Sequence, residues 1–126
     1  AGMSKTILIV DDSSTVRKLL SYILRPMDFK IMEACDGQEA WEAIGQNKID
    51  LVLTDLNMPN MDGIELVKTI RASGLFDELP IIMLTTEAGD IDKQMGYDAG
   101  VNLYLVKPTN PQVLIYKVLS LLSDEK

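Results

Sequence analysis

Four short apolar runs in this chain each end on a polar residue able to do chemistry. TILIV is followed by Asp11 and Asp12, LVLT by Asp55, IIML by Thr85, and LYLV by Lys107. Three carboxylates gathered within a few ångströms repel one another. A hard divalent cation relieves that repulsion, and an all-oxygen ligand set favours magnesium or calcium. Two carboxylates plus waters is a magnesium-like arrangement that leaves room for a phosphoryl oxygen. Asp55 can then act as a nucleophile and form an aspartyl phosphate. The charge that develops needs electrophilic help, which the metal and Lys107 can supply. The Thr85 hydroxyl can donate a hydrogen bond to a phosphoryl oxygen.

This chemistry requires that the five residues meet. The runs at residues 6–10, 29–34, 51–54, 81–84 and 103–106 read as buried strands. Between them lie helical patterns. Val16, Leu19, Leu20, Ile23 and Leu24 form one face of a first helix, capped by Ser13 or Ser14 and stopped by Pro26. Asp36-Gly37 reads as a turn, before a short helix with Ala40, Trp41 and Ile44 that closes near Gly45. Ile64, Val67 and Ile70 mark a third helix after the 56–62 loop. A fourth spans residues 90–99, weakened by Gly96 and ended by Gly100. Asn110 caps a fifth, with Pro111 in its first turn. Strands alternating with helices predict an α/β fold with a doubly wound parallel sheet. In such sheets ligands bind beyond the carboxyl ends of the strands. All five polar residues therefore share one rim.

Taken singly, each has a plainer reading. Asp11-Asp12 caps a helix, Asp55 is a solvated strand end, Thr85 is a β-favouring residue and Lys107 a surface charge. Their joint placement is what points to chemistry.

The segment TDLNMPNMDG (54–63), the early Asp-Asp pair, the Thr after the fourth strand and the Lys-Pro after the fifth together resemble the response-regulator receiver family, and its chemotaxis branch most. The resemblance runs from Lys5 to about Leu122. It implies a single (βα)5 receiver domain with a flavodoxin-like sheet in the order 2-1-3-4-5. We assign the domain to residues 5–123, residues 1–4 to a cloning scar and start, and 124–126 to a tail. The resemblance also implies a phosphorylation-activated switch in a two-component phosphorelay, fed by a histidine kinase and not itself an enzyme beyond self-phosphorylation and self-dephosphorylation. Asp55 matches the phosphoacceptor. Asp12 and Asp55 match direct Mg2+ ligands, the Asn57 backbone carbonyl a third, and Asp11 a ligand through water. Thr85 and Lys107 match the phosphoryl partners, and Tyr104 the aromatic switch, although a strand tyrosine is commonly just packing. The Lys107-Pro108 peptide is expected cis.

Hydrolysis of the phosphate needs a water in line with the leaving oxygen. The side chains two residues beyond Asp55 and two beyond Thr85, Asn57 and Glu87, should flank that path and tune the lifetime. Thr86 stands where chemotaxis regulators commonly carry Ala, and it could narrow the room into which Tyr104 swings. Thr109 stands where many relatives carry Phe, and Gly89 and Gly96 loosen the fourth helix. These differences sit on the output face.

In the fifth helix, Leu114, Ile115, Val118 and Leu122 make the inward stripe. Val113 and Tyr116 fall off it and are expected exposed; they read equally as a silent apolar surface or as a partner face with strands four and five, for a downstream protein or a second copy. Met58 and Met61 read as loop packing and Cys35 as a small buried apolar residue.

Composition closes other routes. The net charge is −7 with no His, against nucleic-acid or membrane binding. One Cys excludes an internal disulfide and suits a reducing, cytoplasmic setting. No apolar run approaches the ~20 residues of a membrane span. A flavin carrier would want a hydroxyl- and glycine-rich loop after the first strand, where two aspartates would repel phosphate. A phosphatase with an Asp nucleophile would place a second Asp two residues on, where Ser13 stands.

Overall fold

The computed structural model describes residues 4–123; of the segments assigned to a scar and a tail, residues 1–3 and 124–126 lie outside the described residues. Five strands alternate with five helices: β1 (Thr6–Val10), α1 (Ser14–Leu24), β2 (Lys30–Ala34), α2 (Gly37–Gln46), β3 (Leu51–Thr54), α3 (Gly63–Ala72), β4 (Ile81–Thr85), α4 (Asp90–Ala99), β5 (Leu103–Val106) and α5 (Pro111–Leu122). A short 3-10 turn at Arg25–Met27 follows α1, with Pro26 inside it. All strand pairings are parallel, in the order β2-β1-β3-β4-β5.

Alternation along each central strand divides the core between the two faces. Leu8, Val10, Val52, Ile81 and Met83 pack with Ala40, Ile44, Val67 and Ile70 of α2 and α3. Ile7, Ile9, Leu51, Leu53, Ile82 and Leu84 pack with Leu20, Leu24, Leu114 and Val118 of α1 and α5. Both faces of β1, β3 and β4 are buried, which is why those strands read as unbroken apolar runs. Among the described residues no helix is long and apolar enough to cross a membrane.

The structure corrects several sequence expectations. Asp36-Gly37 is the start of α2: the Asp36 carboxylate accepts the Glu39 N–H at 2.8 Å and caps the helix. That helix ends at Gln46, next to Gly45 where its close was expected. Strand β2 begins at Lys30. Leu19 is 56% exposed, because α1 turns the Leu20–Leu24 side inward and leaves Leu19 off it. Cys35 is exposed, lying just past the end of the edge strand β2.

The other edge, β5, is covered by α4. The Tyr97 hydroxyl accepts the Tyr104 N–H at 3.1 Å. The far end of α4 is tied down by Arg71 of α3, whose guanidinium donates twice to the Gly100 carbonyl, at 3.1 and 2.9 Å, and once to that of Phe76 at 2.7 Å.

Candidate functional site

Strand register brings the polar residues to one rim. Val10 pairs with Thr54 across β1 and β3, and Thr85 with Val106 across β4 and β5. The ladder continues one residue further. The Asp11 N–H donates to the Ala34 carbonyl at 3.1 Å, Asp55 to Val10 at 2.9 Å, and Lys107 to Thr85 at 2.7 Å. Backbone hydrogen bonds thus hold three of the five functional residues at their source.

Carboxylate oxygens of Asp11, Asp12 and Asp55 lie within 4.8 Å of one another. Asp11 is buried, Asp12 exposed and Asp55 between the two. The Asp11 Oδ1 accepts the Ser13 N–H at 2.9 Å, and its Oδ2 meets Lys107 Nζ at 2.8 Å. Lys107 stands 3.9 Å from Asp55 Oδ2, so the ammonium bonds Asp11 and only flanks Asp55. Asp55 Oδ1 accepts the Leu56 N–H at 2.8 Å. Burial pushes the Asp55 carboxyl above its ordinary value; Lys107, the Leu56 N–H and the Thr85 hydroxyl pull the other way, and Asp11 adds to the rise. One ammonium against three carboxylates leaves negative charge in excess. Three oxygens this close fit a hard divalent ion.

The loop after Asp55 is held by a close approach. A Cβ on Gly63, the first residue of α3, would collide with the Asp55 carbonyl oxygen. Only glycine lets the helix start against the end of β3, and its N–H donates to the Leu56 carbonyl at 2.8 Å. Asp62 caps that helix in a reciprocal pair with Glu65. Met58 and Met61 pack on the core, as loop packing predicts.

On the other side of Asp55, Thr85 is fully buried, and its hydroxyl accepts the Glu87 N–H at 3.3 Å. The Asn57 Nδ2 donates to Glu87 Oε2 at 2.9 Å, so the two side chains expected to flank the water path meet. The Tyr104 ring is buried, and its hydroxyl donates to the Glu87 carbonyl at 2.7 Å. Thr86 is exposed. The Lys107-Pro108 peptide is cis. On α5, Val113 and Tyr116 are exposed, as are Leu119 and the α4 residues Ile91 and Met95.

Sequence reading missed Arg17. Its Nη1 donates to the Asp11 carbonyl at 2.7 Å and its Nε to Glu33 Oε1 at 2.9 Å. It braces the Asp11 backbone against β2. Six residues separate Arg17 from Asp11, and no helical or strand period links them, so the sequence carries no signal for the contact.

Residues 7–119 match the family model of the response regulator receiver domain. The chain belongs to that family. The receiver is 47% identical over 114 residues to Chemotaxis protein CheY1 of Helicobacter pylori strain J99, covering 89% of this chain and 92% of that one. It is 44% identical over 114 residues to a Chemotaxis protein CheY homolog of Campylobacter jejuni, covering 89% and 88%. Transcriptional regulatory protein SrrA of Staphylococcus aureus is 39% identical over 120 residues, covering 95% of this chain but 48% of that longer protein. Among solved structures, chemotaxis protein CheY4 of Vibrio cholerae superposes with a TM-score of 0.89 at 36% identity, covering 95% and 100%. The signal receiver domain of a histidine kinase from Syntrophus aciditrophicus gives 0.91 at 30% identity, covering 98% and 93%. The protein is thus a CheY-like receiver, the signalling module of two-component systems that phosphorylation switches on.

Proposed function

We propose that this receiver takes a phosphoryl group onto Asp55 from a phosphorylated histidine of a partner kinase. The observation that carries this reading is the set of three carboxylates within 4.8 Å, with Lys107 beside them. An Asp55 carboxylate oxygen attacks phosphorus, the P–N bond to the imidazole breaks with its electron pair staying on nitrogen, and that nitrogen takes a proton from solvent. Asp12 and Asp55 would hold Mg2+ directly, with the Asn57 backbone carbonyl, and Asp11 through water; the ion would supply positive charge for phosphoryl oxygens. Lys107 adds its ammonium, already anchored on Asp11, and the Thr85 hydroxyl turns to the phosphate. The domain then spans residues 5–123 and works in the cytoplasm as a switch whose only catalysis is on itself.

Phosphate shifts a conformational population if it interacts better with one state than the other. Thr85 and Tyr104 both contact Glu87, through its N–H and its carbonyl. A change at Thr85 therefore reaches Tyr104 through one residue. We place the downstream protein target on the face of β4, β5 and α5 bearing Val113 and Tyr116, and a second copy on the same surface of α5. Nucleic acid and membrane are not partners of an acidic surface like this one.

The test is labelling with a small acyl phosphodonor and magnesium. Mass spectrometry should find one acid-labile phosphate on the wild type and none on Asp55→Asn. Equal labelling of the two would sink the reading.

A further inference from the structure

Glycine inside a helix normally weakens it, because alanine restricts the unfolded chain more and fits the helix as well. Gly96 lies in the interior of α4 and is buried. A Cβ built there would stand 2.8 Å from Tyr104 Cδ2 and 3.1 Å from Cε2. The clash is with the flank of a rigid ring. A ring in contact along its side escapes only by rotating as a whole about its side-chain dihedrals. The Val101 Cγ2 lies 3.7 Å from the same point, an ordinary contact, so the ring is the only close neighbour that a Cβ would strike.

The neighbouring residue holds the other end of Tyr104. The Tyr97 hydroxyl accepts the Tyr104 N–H, while the Tyr104 hydroxyl reaches the Glu87 carbonyl. Backbone, ring and hydroxyl of Tyr104 are therefore each set by a different contact. The ring contact alone depends on a side chain being missing.

We propose that residue 96 is a positioning residue for the Tyr104 switch: glycine leaves a seat for the ring against α4, and any larger side chain turns the ring out toward solvent. This rests on reading Tyr104 as the switch. With the ring out, the Glu87 carbonyl loses its donor and the segment after β4 is freed from β5. The output face then changes shape with Asp55 untouched.

The test uses NMR on the 126-residue chain carrying ring-labelled tyrosine and a soluble paramagnetic probe that broadens exposed protons. Tyr22 and Tyr116, 78% and 66% exposed, are internal references for a solvated ring. Tyr104, 7% exposed, should be protected in the wild type and broadened like the references in Gly96→Ala. Protection in Gly96→Ala overturns the proposal. Thermal melts provide the second arm. In a Tyr104→Ala background the clash is gone, so Gly96→Ala should raise the melting temperature, as helix propensity demands. In the wild-type background it should lower it. Equal shifts of one sign in both backgrounds overturn the proposal, and this arm stands even if Gly96→Ala alone folds poorly. Adding phosphodonor and magnesium to the wild type separates the two ideas. A Tyr104 signal indifferent to phosphate would defeat the switch reading and leave the seat result standing.

Discussion

Lys107 Nζ lies 2.8 Å from Asp11 Oδ2 and 3.9 Å from Asp55 Oδ2. In the proposed phosphoryl transfer, the cation required beside Asp55 is therefore held on a neighbouring buried carboxylate. Asp11 keeps only 4% of its side chain exposed, and losing its partner leaves a buried charge uncompensated. Lys107→Ala should cost about 3 kcal/mol in chelator, with partial recovery on adding magnesium. Urea unfolding with and without the ion checks this, and a variant as stable as wild type in chelator contradicts it.

The Asp55 charge opposes folding. Its folded-state value is raised, chiefly by burial. Its contribution is thus fully present below the ordinary carboxylate range and is lost as pH rises through the raised value. At neutral pH without metal, Asp55→Asn should melt several degrees above wild type, and the gap should close near pH 3. Asp12→Ala should also melt higher in chelator, by less because Asp12 is exposed, and should lose the stabilisation by magnesium. Melting curves across pH, with and without the ion, decide.

The Asn57–Glu87 hydrogen bond spans the path expected for hydrolytic water. Asn57→Met or Glu87→Leu should lengthen the phosphate lifetime several-fold while leaving phosphorylation intact. Thr86→Ala, at an exposed position, should change it little. If the two mutants decay as fast as wild type and Thr86→Ala decays markedly faster, steric shielding by Thr86 governs the lifetime instead.

Asp36 behaves oppositely to Asp55. The Glu39 N–H and then the Asn60 amide hold its carboxyl below the ordinary value. The stability it contributes is present above the ordinary carboxylate range and is lost as pH falls through the depressed value. Asp36→Ala should cost about 1 kcal/mol at pH 7, as the loss of an N-cap does. The difference from wild type should shrink in acid. Denaturant titrations at pH 7 and pH 3 would show it.

The rim was legible because parallel-sheet topology leaves a strand-terminal residue one address. Asp11, Asp55, Thr85 and Lys107 needed only the right strand ends. The outward position of Val113 and Tyr116 followed from helical period alone. What stayed hidden depends on rotation or on distance across the fold. Leu19 and Leu20 fit a first-helix stripe about equally, and only packing against β1 and α5 separates them. Cys35 reads apolar, yet it falls past an edge strand with nothing above it. The contact of Arg17 with Asp11 and the seat beneath Tyr104 belong to no sequence period. Gly96, read as a weak point of its helix, is the space that a distant ring fills.

Strand β5 ends the sheet, and a bare sheet edge is a template on which another chain can add a strand. Every such addition begins by capturing free N–H and C=O groups along that edge. The Tyr97 hydroxyl, carried on α4, already occupies the Tyr104 N–H. An incoming strand must first displace that phenol to pair along this part of the edge. The tyrosine beside the proposed seat therefore gives this small acidic domain a guard against edge-to-edge pairing at that position.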